Sequence, residues 1–172
     1  MKSKRIVAVL LLLLMLSFVL STSAYVLNPW KVSYGYLTYK WGPNTQVAGT
    51  MVRNGWENGA NHIDNASILT VGYSSTGLGT LDAEYLISNS RYGTMTTYYN
   101  NGIVTSFYGY LNGAKSQLTS NPNVAQSTAI HELMHTFGYA HTTGTSIMST
   151  SRDRTNIYTL QHDDYLGIAV KY

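Results

Sequence analysis

Residues 131–141 read HELMHTFGYAH and hold three of the chain's five histidines, together with Glu132 and Gly138. His131 and His135 lie four positions apart. On an α-helix that is a rotation of about 40° and a rise of about 6 Å, so both imidazoles leave the same face and can grip one zinc ion. His141 follows six positions later, where a continued helix would carry it roughly 240° round and away from that ion. The chain must therefore turn sharply in between. Gly138 stands where the turn is needed, and glycine accepts the left-handed conformation that ends helices. Three neutral imidazoles leave an ion its full charge and a fourth position open to water, whose pKa a catalytic zinc lowers to about 7. Glu132 directs its carboxylate beside the ion, where it can take the water's proton and hand it to a leaving amine. These parts together make a hydrolase of peptide bonds, with His131, His135 and His141 as metal ligands and Glu132 as general base.

The flanking sequence supplies elements to hold this motif. A helix is expected from about Asn123 to Phe137. WKVSYGYLTYKW (30–41) alternates large and small residues as a strand does. TQVAGTMVRNGWENGA (45–60) places Val47, Met51, Val52 and Trp56 on one helical face. ASILTVGY (66–73) reads as a buried strand, SSTGLGTL (74–81) as a glycine-rich loop, and GAKSQLTSNP as a connection. TMTTYYN (94–100) and IVTSFYGYLN (103–112) flank Asn101-Gly102, a strong hairpin signal. YTLQHDDYLGIAVKY closes the chain as a helix with Leu160, Leu166, Ile168 and Val170 on its apolar face. The order predicts one α/β (α+β) domain, and the hairpin makes its sheet mixed.

Composition bounds the function. The basic MKSKR, the apolar run from Ile6 to Leu20 and the small residues ending at Ala24 form the pattern of a secretory signal peptide. The run is shorter than the ~20 residues of a spanning helix. Residues 1–24 are thus read as a leader, residues 25–172 as a single secreted catalytic domain, and no stable membrane association follows leader removal. Lys2, Lys4 and Arg5 account for the whole formal charge of +3. The remainder is neutral and has no basic stripe, which argues against a nucleic-acid partner. The chain has no cysteine, so neither thiolate ligands nor a thiol nucleophile enter the chemistry.

HELMHTFGYAH resembles the extended zinc motif of the metzincin endopeptidases, His-Glu-x-x-His-x-x-Gly-x-x-His. In that family a methionine turn forms a hydrophobic floor beneath the metal, and Met148 in TSIMST is suitably placed for it. The tail LQHDDYLGIAVKY is similar to the last helix of the matrixin branch, with Leu160, Asp163, Asp164, Gly167, Ile168 and Tyr172 in register. The resemblance implies that Asp163 and Asp164 brace the mature N-terminus and the methionine turn. It also implies a five-stranded mixed twisted sheet over an active-site helix, a second long helix, and a small C-terminal subdomain ending in a helix. It further implies one catalytic zinc ion and an extended peptide or protein substrate, added as a strand along an edge for which residues 94–100 are the candidate. The enzyme would act as a monomer.

Three features depart from the family. There is no cysteine to block the zinc in a latent form. STSRDR after Met148 lacks the Pro-x-Tyr of the family's specificity pocket, so no side-chain preference carries over. Glu57, Asp64, Asp82 and Glu84 are too scattered to define a structural calcium site, which is left open. A different class also fits the motif: an exported metal-binding surface protein without turnover. The intact Glu132 favours the hydrolase. His62 and His162, outside the motif, are read as surface or hydrogen-bonded histidines.

Overall fold

The computed structural model describes residues 25–45 and 49–172. The expected leader and Val47 lie outside the described residues. The chain is mixed α/β. A five-stranded sheet contains β2 (Tyr36–Trp41), β3 (Thr70–Tyr73), β4 (Gly79–Glu84), β5 (Gly93–Asn100) and β6 (Ile103–Asn112) in the order β3-β2-β4-β6-β5. All neighbours run parallel except β5, which is antiparallel to β6. Two residues, Val26–Leu27 (β1), pair with Tyr139–Ala140 (β7). Four helices occur among the described residues: α1 (Met51–Ala66), α2 (Ser116–Ser120), α3 (Pro122–Thr136) and α4 (His162–Lys171).

The hairpin forms where Asn101-Gly102 predicts it. Both residues take positive φ, 48° and 76°, the geometry that matches the twist of the flanking strands. The other boundaries moved for identifiable reasons. The expected strand at 30–41 is interrupted by a 3-10 turn at Ser33–Gly35, with Tyr34 at φ 54° and Gly35 at φ 67°; its second half forms β2, and its first half meets the sheet only through a bridge from Lys31 to Ile103. Helix α1 starts later and runs further than expected. Thr50 caps its first turn by accepting from the Arg53 amide, and Ile63 extends the buried face of Val52, Trp56 and Ala60. The stretch read as a glycine-rich loop contains the start of β4. Gly79 is a strand residue there because the Phe107 ring fills its side-chain space, 2.3 Å from where a Cβ would sit. The expected connection after β6 contains α2.

Helices α1 and α3 cover one face of the sheet. Gly55 and Gly59 lie directly against Ala125 and Ala129, where an added Cβ would approach the alanine methyls to 2.8 Å. These small residues let the two backbones close on each other and bring α3 under the sheet. Leu37, Leu81, Ala83, Phe107 and Leu111 point to the helices, with Ile130, Leu133 and Met134 of α3 in the same core. The terminal helix buries a face other than the expected one. Leu160 and Ile168 are buried, but Leu166 and Val170 are exposed, and Asp164 and Gly167 are the other inward residues. A polar residue takes the inward position because its carboxylate has work there, described below. Tyr172 accepts from the Val32 amide (2.9 Å) and donates to the Phe137 carbonyl (3.0 Å), tying the chain end to the sheet and to the end of α3.

Candidate metal centre

Helix α3 opens with Pro122 in its first turn and the Asn121 side chain accepting from the Asn123 amide. Its second half carries His131, Glu132 and His135. The Phe137 and Gly138 amides close the last turn on Leu133 and His135. Gly138 then takes φ +87° and turns the chain into β7, which delivers His141 back toward the helix. An added Cβ at residue 138 would fall 2.2 Å from the Trp30 carbonyl oxygen. Gly138→Ala is therefore expected to lose more than ~2 kcal/mol of stability, from the left-handed backbone and this clash together. Urea unfolding would measure the loss, and an unchanged midpoint would contradict the stop-and-turn role.

The three rings converge through their Nε2 atoms. The Nε2 of His141 lies 3.2 Å from that of His131 and 3.2 Å from that of His135. All three ligand atoms fall within 4.8 Å of one another, and this trio is the one such cluster of metal-capable side chains among the described residues. The expected ligand set is thus brought together. The carboxylates Glu57, Asp64, Asp82 and Glu84 are not: Glu57 pairs with Arg53 at 2.9 Å, and Asp82 accepts from the Asn44 amide.

The two short Nε2 contacts cannot both be full hydrogen bonds. Nδ1 of His131 lies 2.8 Å from the Ile147 carbonyl and Nδ1 of His135 lies 2.7 Å from the Tyr139 carbonyl. A carbonyl can only accept, so the Nδ1 of His135 carries the proton and its Nε2 presents a lone pair; for His131 the shorter carbonyl contact assigns the same tautomer over the Arg152 Nη1, a donor 3.1 Å from that Nδ1. Two lone pairs thus face the His141 Nε2 at 3.2 Å, and one proton on that nitrogen can satisfy only one of them, whereas a cation between the rings satisfies all three. Two ligands about 2.05 Å from a tetrahedral zinc stand roughly 3.3 Å apart, close to the spacing observed here. The donor set therefore fits a divalent metal ion held by nitrogen.

Burial keeps the ligands neutral. His131, buried and next to the Arg152 guanidinium, is held well below the ordinary imidazole range, and burial lowers His135 to about 4. His141, at the exposed rim, is lowered by the same cause. Folding thus depresses these pKa values, so the neutral ligand set is fully present above 6.5 and is lost only as pH falls through the folded values. Metal occupancy of the folded protein is expected to hold as pH drops through 6.5, where free imidazoles protonate, and to be lost at lower pH. Equilibrium dialysis against a competing chelator checks this, and release centred near 6.5 would refute it.

Glu132 is buried and faces β5. A Cβ on Gly93 would sit 2.8 Å from both Cγ and Oε1 of Glu132, so the glycine makes room for the carboxylate. Burial lifts this carboxyl to about 8, against the pull of Arg152, Arg154 and Arg91.

A loop from Ser146 to Ser149 supports the centre through the Ile147 carbonyl. Met148 is buried, and its carbonyl accepts from the amide of Thr142, the residue after the third ligand, at 3.2 Å. Asp164 holds this loop. Its carboxylate accepts from Ser146 Oγ (2.6 Å), the Ile147 amide (2.9 Å) and the Gln161 amide (2.8 Å). Burial raises its carboxyl while these donors pull it down. Asp163 forms no hydrogen bond among the described residues and is half-buried. The segment after residue 24 reaches the last helix at Gly167, against which Tyr25 lies, and at Lys171, which donates to the Asn28 carbonyl. His62 accepts from the Leu160 amide, and His162 is exposed at the start of α4; neither joins the trio.

Sequence reasoning missed Arg152. It is buried behind His131, with Nη1 3.1 Å from Nδ1 of that ring, and donates to Ser149 O, Ser127 Oγ and Ser127 O. Its signal was present in STSRDR, a charged run directly after Met148 in a chain with few charges. No protein-family model matches the chain, and no curated protein matches it.

Proposed function

We propose that the protein is an exported, zinc-dependent endopeptidase of the metzincin type, nearest to the matrixins, acting as a monomer on peptide or protein chains bound in extended form. The observation that carries this reading is the convergence of three imidazole Nε2 atoms, with the buried carboxyl of Glu132 next to the first of them in the chain. Imidazole nitrogen suits zinc, and three neutral ligands leave an open coordination position. A bound zinc ion would supply an activated water and a Lewis acid for the scissile carbonyl. The chain's own residues do the rest. The Ile147 and Tyr139 carbonyls fix the tautomers of His131 and His135 and aim their lone pairs. Glu132 accepts the water's proton and returns it to the departing amine. The edge strand β5, which leads from Gly93 beside Glu132, offers backbone groups to an extended substrate.

The five-stranded mixed sheet, the long helices α1 and α3, the reversal at Gly138 and the buried Met148 are all consistent with the matrixin-like fold. The test is hydrolysis of an unfolded protein substrate. The protein as purified is compared with chelated protein and with chelated protein reloaded with zinc. Cleavage that disappears on chelation and returns with zinc supports the reading. A protein that holds one zinc per chain and cuts nothing would instead be a metal-binding surface protein.

A further inference from the structure

Two arginines stand two residues apart beyond the methionine turn, and they are used differently. Arg152 is consumed by the fold: its guanidinium donates to Ser127 and Ser149 and straps the turn to α3. Arg154 donates no hydrogen bond to any described residue. Its guanidinium lies 4.5 Å from the centre of the Tyr92 ring, and its Nε is cut off from solvent with no partner. Tyr92 is itself held in place, its hydroxyl donating to Gln117 Oε1. It directly precedes Gly93, the residue against which Glu132 rests. Arg154 is close enough to Glu132 to pull on its ionisation, as is Arg91, yet it forms no ion pair with Glu132 or with Glu84, whose Oε1 is also buried without a partner.

One guanidinium donor, Nε, is buried without an acceptor, which is costly, while the terminal nitrogens bond no described residue and stay open to an incoming acceptor. That fork matches a carboxylate in two parallel hydrogen bonds, in a way a point-like ammonium does not. The aromatic ring fixes where the fork points, so little freedom is lost when an acceptor arrives.

We propose that Arg154 is a specificity-determining residue that binds an acidic side chain of the substrate next to the bond to be cut. This rests on the endopeptidase reading for its meaning in catalysis, but the recognition itself is separable. The probe is a set of capped octapeptides in which each position in turn carries Glu or Gln. Binding is measured by fluorescence polarisation on zinc-loaded Glu132→Ala protein, which does not consume them. At one position the Glu peptide is expected to bind about tenfold tighter than its Gln twin. Adding Arg154→Ala should erase that ratio, and adding Arg154→Glu should shift the preference to Lys at the same position. A purely structural role for Arg154 would not reverse with charge.

Equal affinity for Glu and Gln at every position overturns the proposal, as does a preference that survives Arg154→Ala. In parallel, the same peptides are incubated with zinc-loaded wild-type protein. A charge preference in binding with no peptide cut would sink the endopeptidase reading while leaving the acidic recognition established.

Discussion

Glu132→Gln is expected to lower turnover by about 10²–10⁴-fold while leaving the metal in place. The substitution keeps the shape that fits against Gly93 and removes only the ability to take a proton. The wild-type carboxyl stands at about 8 in the metal-free protein. The charge of a divalent cation in the histidine trio would pull it down toward the working range of a base. Glutamine has no such state. The His131, His135 and His141 lone pairs are oriented by backbone carbonyls and by Gly138, not by Glu132, so zinc content should remain at one per chain. His135→Ala serves as the contrast, since it removes a ligand and should lose metal and turnover together. The measurement pairs peptide hydrolysis with a zinc-chelator assay on the same preparations. Near wild-type turnover in Glu132→Gln would remove the general base from the mechanism, and loss of zinc would make Glu132 a ligand or a structural support.

Asp164→Ala is expected to be the most damaging change outside the ligands, at about 3–5 kcal/mol of stability. Its carboxylate satisfies two backbone amides and one hydroxyl in a buried setting. Alanine would strand all three donors. The effect should reach the metal, because the Ile147 amide that Asp164 holds belongs to the residue whose carbonyl orients His131. Loss of such a supporting contact typically weakens metal affinity by about 10–100-fold. Asp163→Ala, by contrast, should stay within about 0.5 kcal/mol of wild type. Denaturant unfolding and zinc competition on the two variants separate these outcomes. If both variants behave alike, the bracing is shared and not a property of Asp164.

The asymmetry between these neighbouring aspartates marks a limit of sequence reading. Both stand in the same register of the terminal helix, and a one-dimensional pattern gives them the same role. Only the packing of α4 decides which carboxylate turns inward. The same packing exposes Leu166 and Val170, which helical periodicity places on the buried side. Gly79 shows the limit from the other direction. A glycine two positions after another glycine, in a stretch that opens with a serine pair, reads as loop, but the residue is small because a phenylalanine from β6 occupies its space, and that neighbour is 28 positions away in the chain.

What the sequence determined by itself was local chemistry. A four-residue spacing puts two imidazoles on one helical face, a glycine permits the reversal, and Asn101-Gly102 closes a hairpin, because each depends only on bond geometry over a few residues. What the tertiary structure alone decided was everything set by contact between distant segments. The carbonyls of Ile147 and Tyr139 choose the tautomers, burial sets the proton affinities of His135 and Glu132, and Arg152 and Arg154 part into a strut and an unpaired fork. Such properties arise from which groups are desolvated together, and desolvation has no signature until the chain has closed on itself.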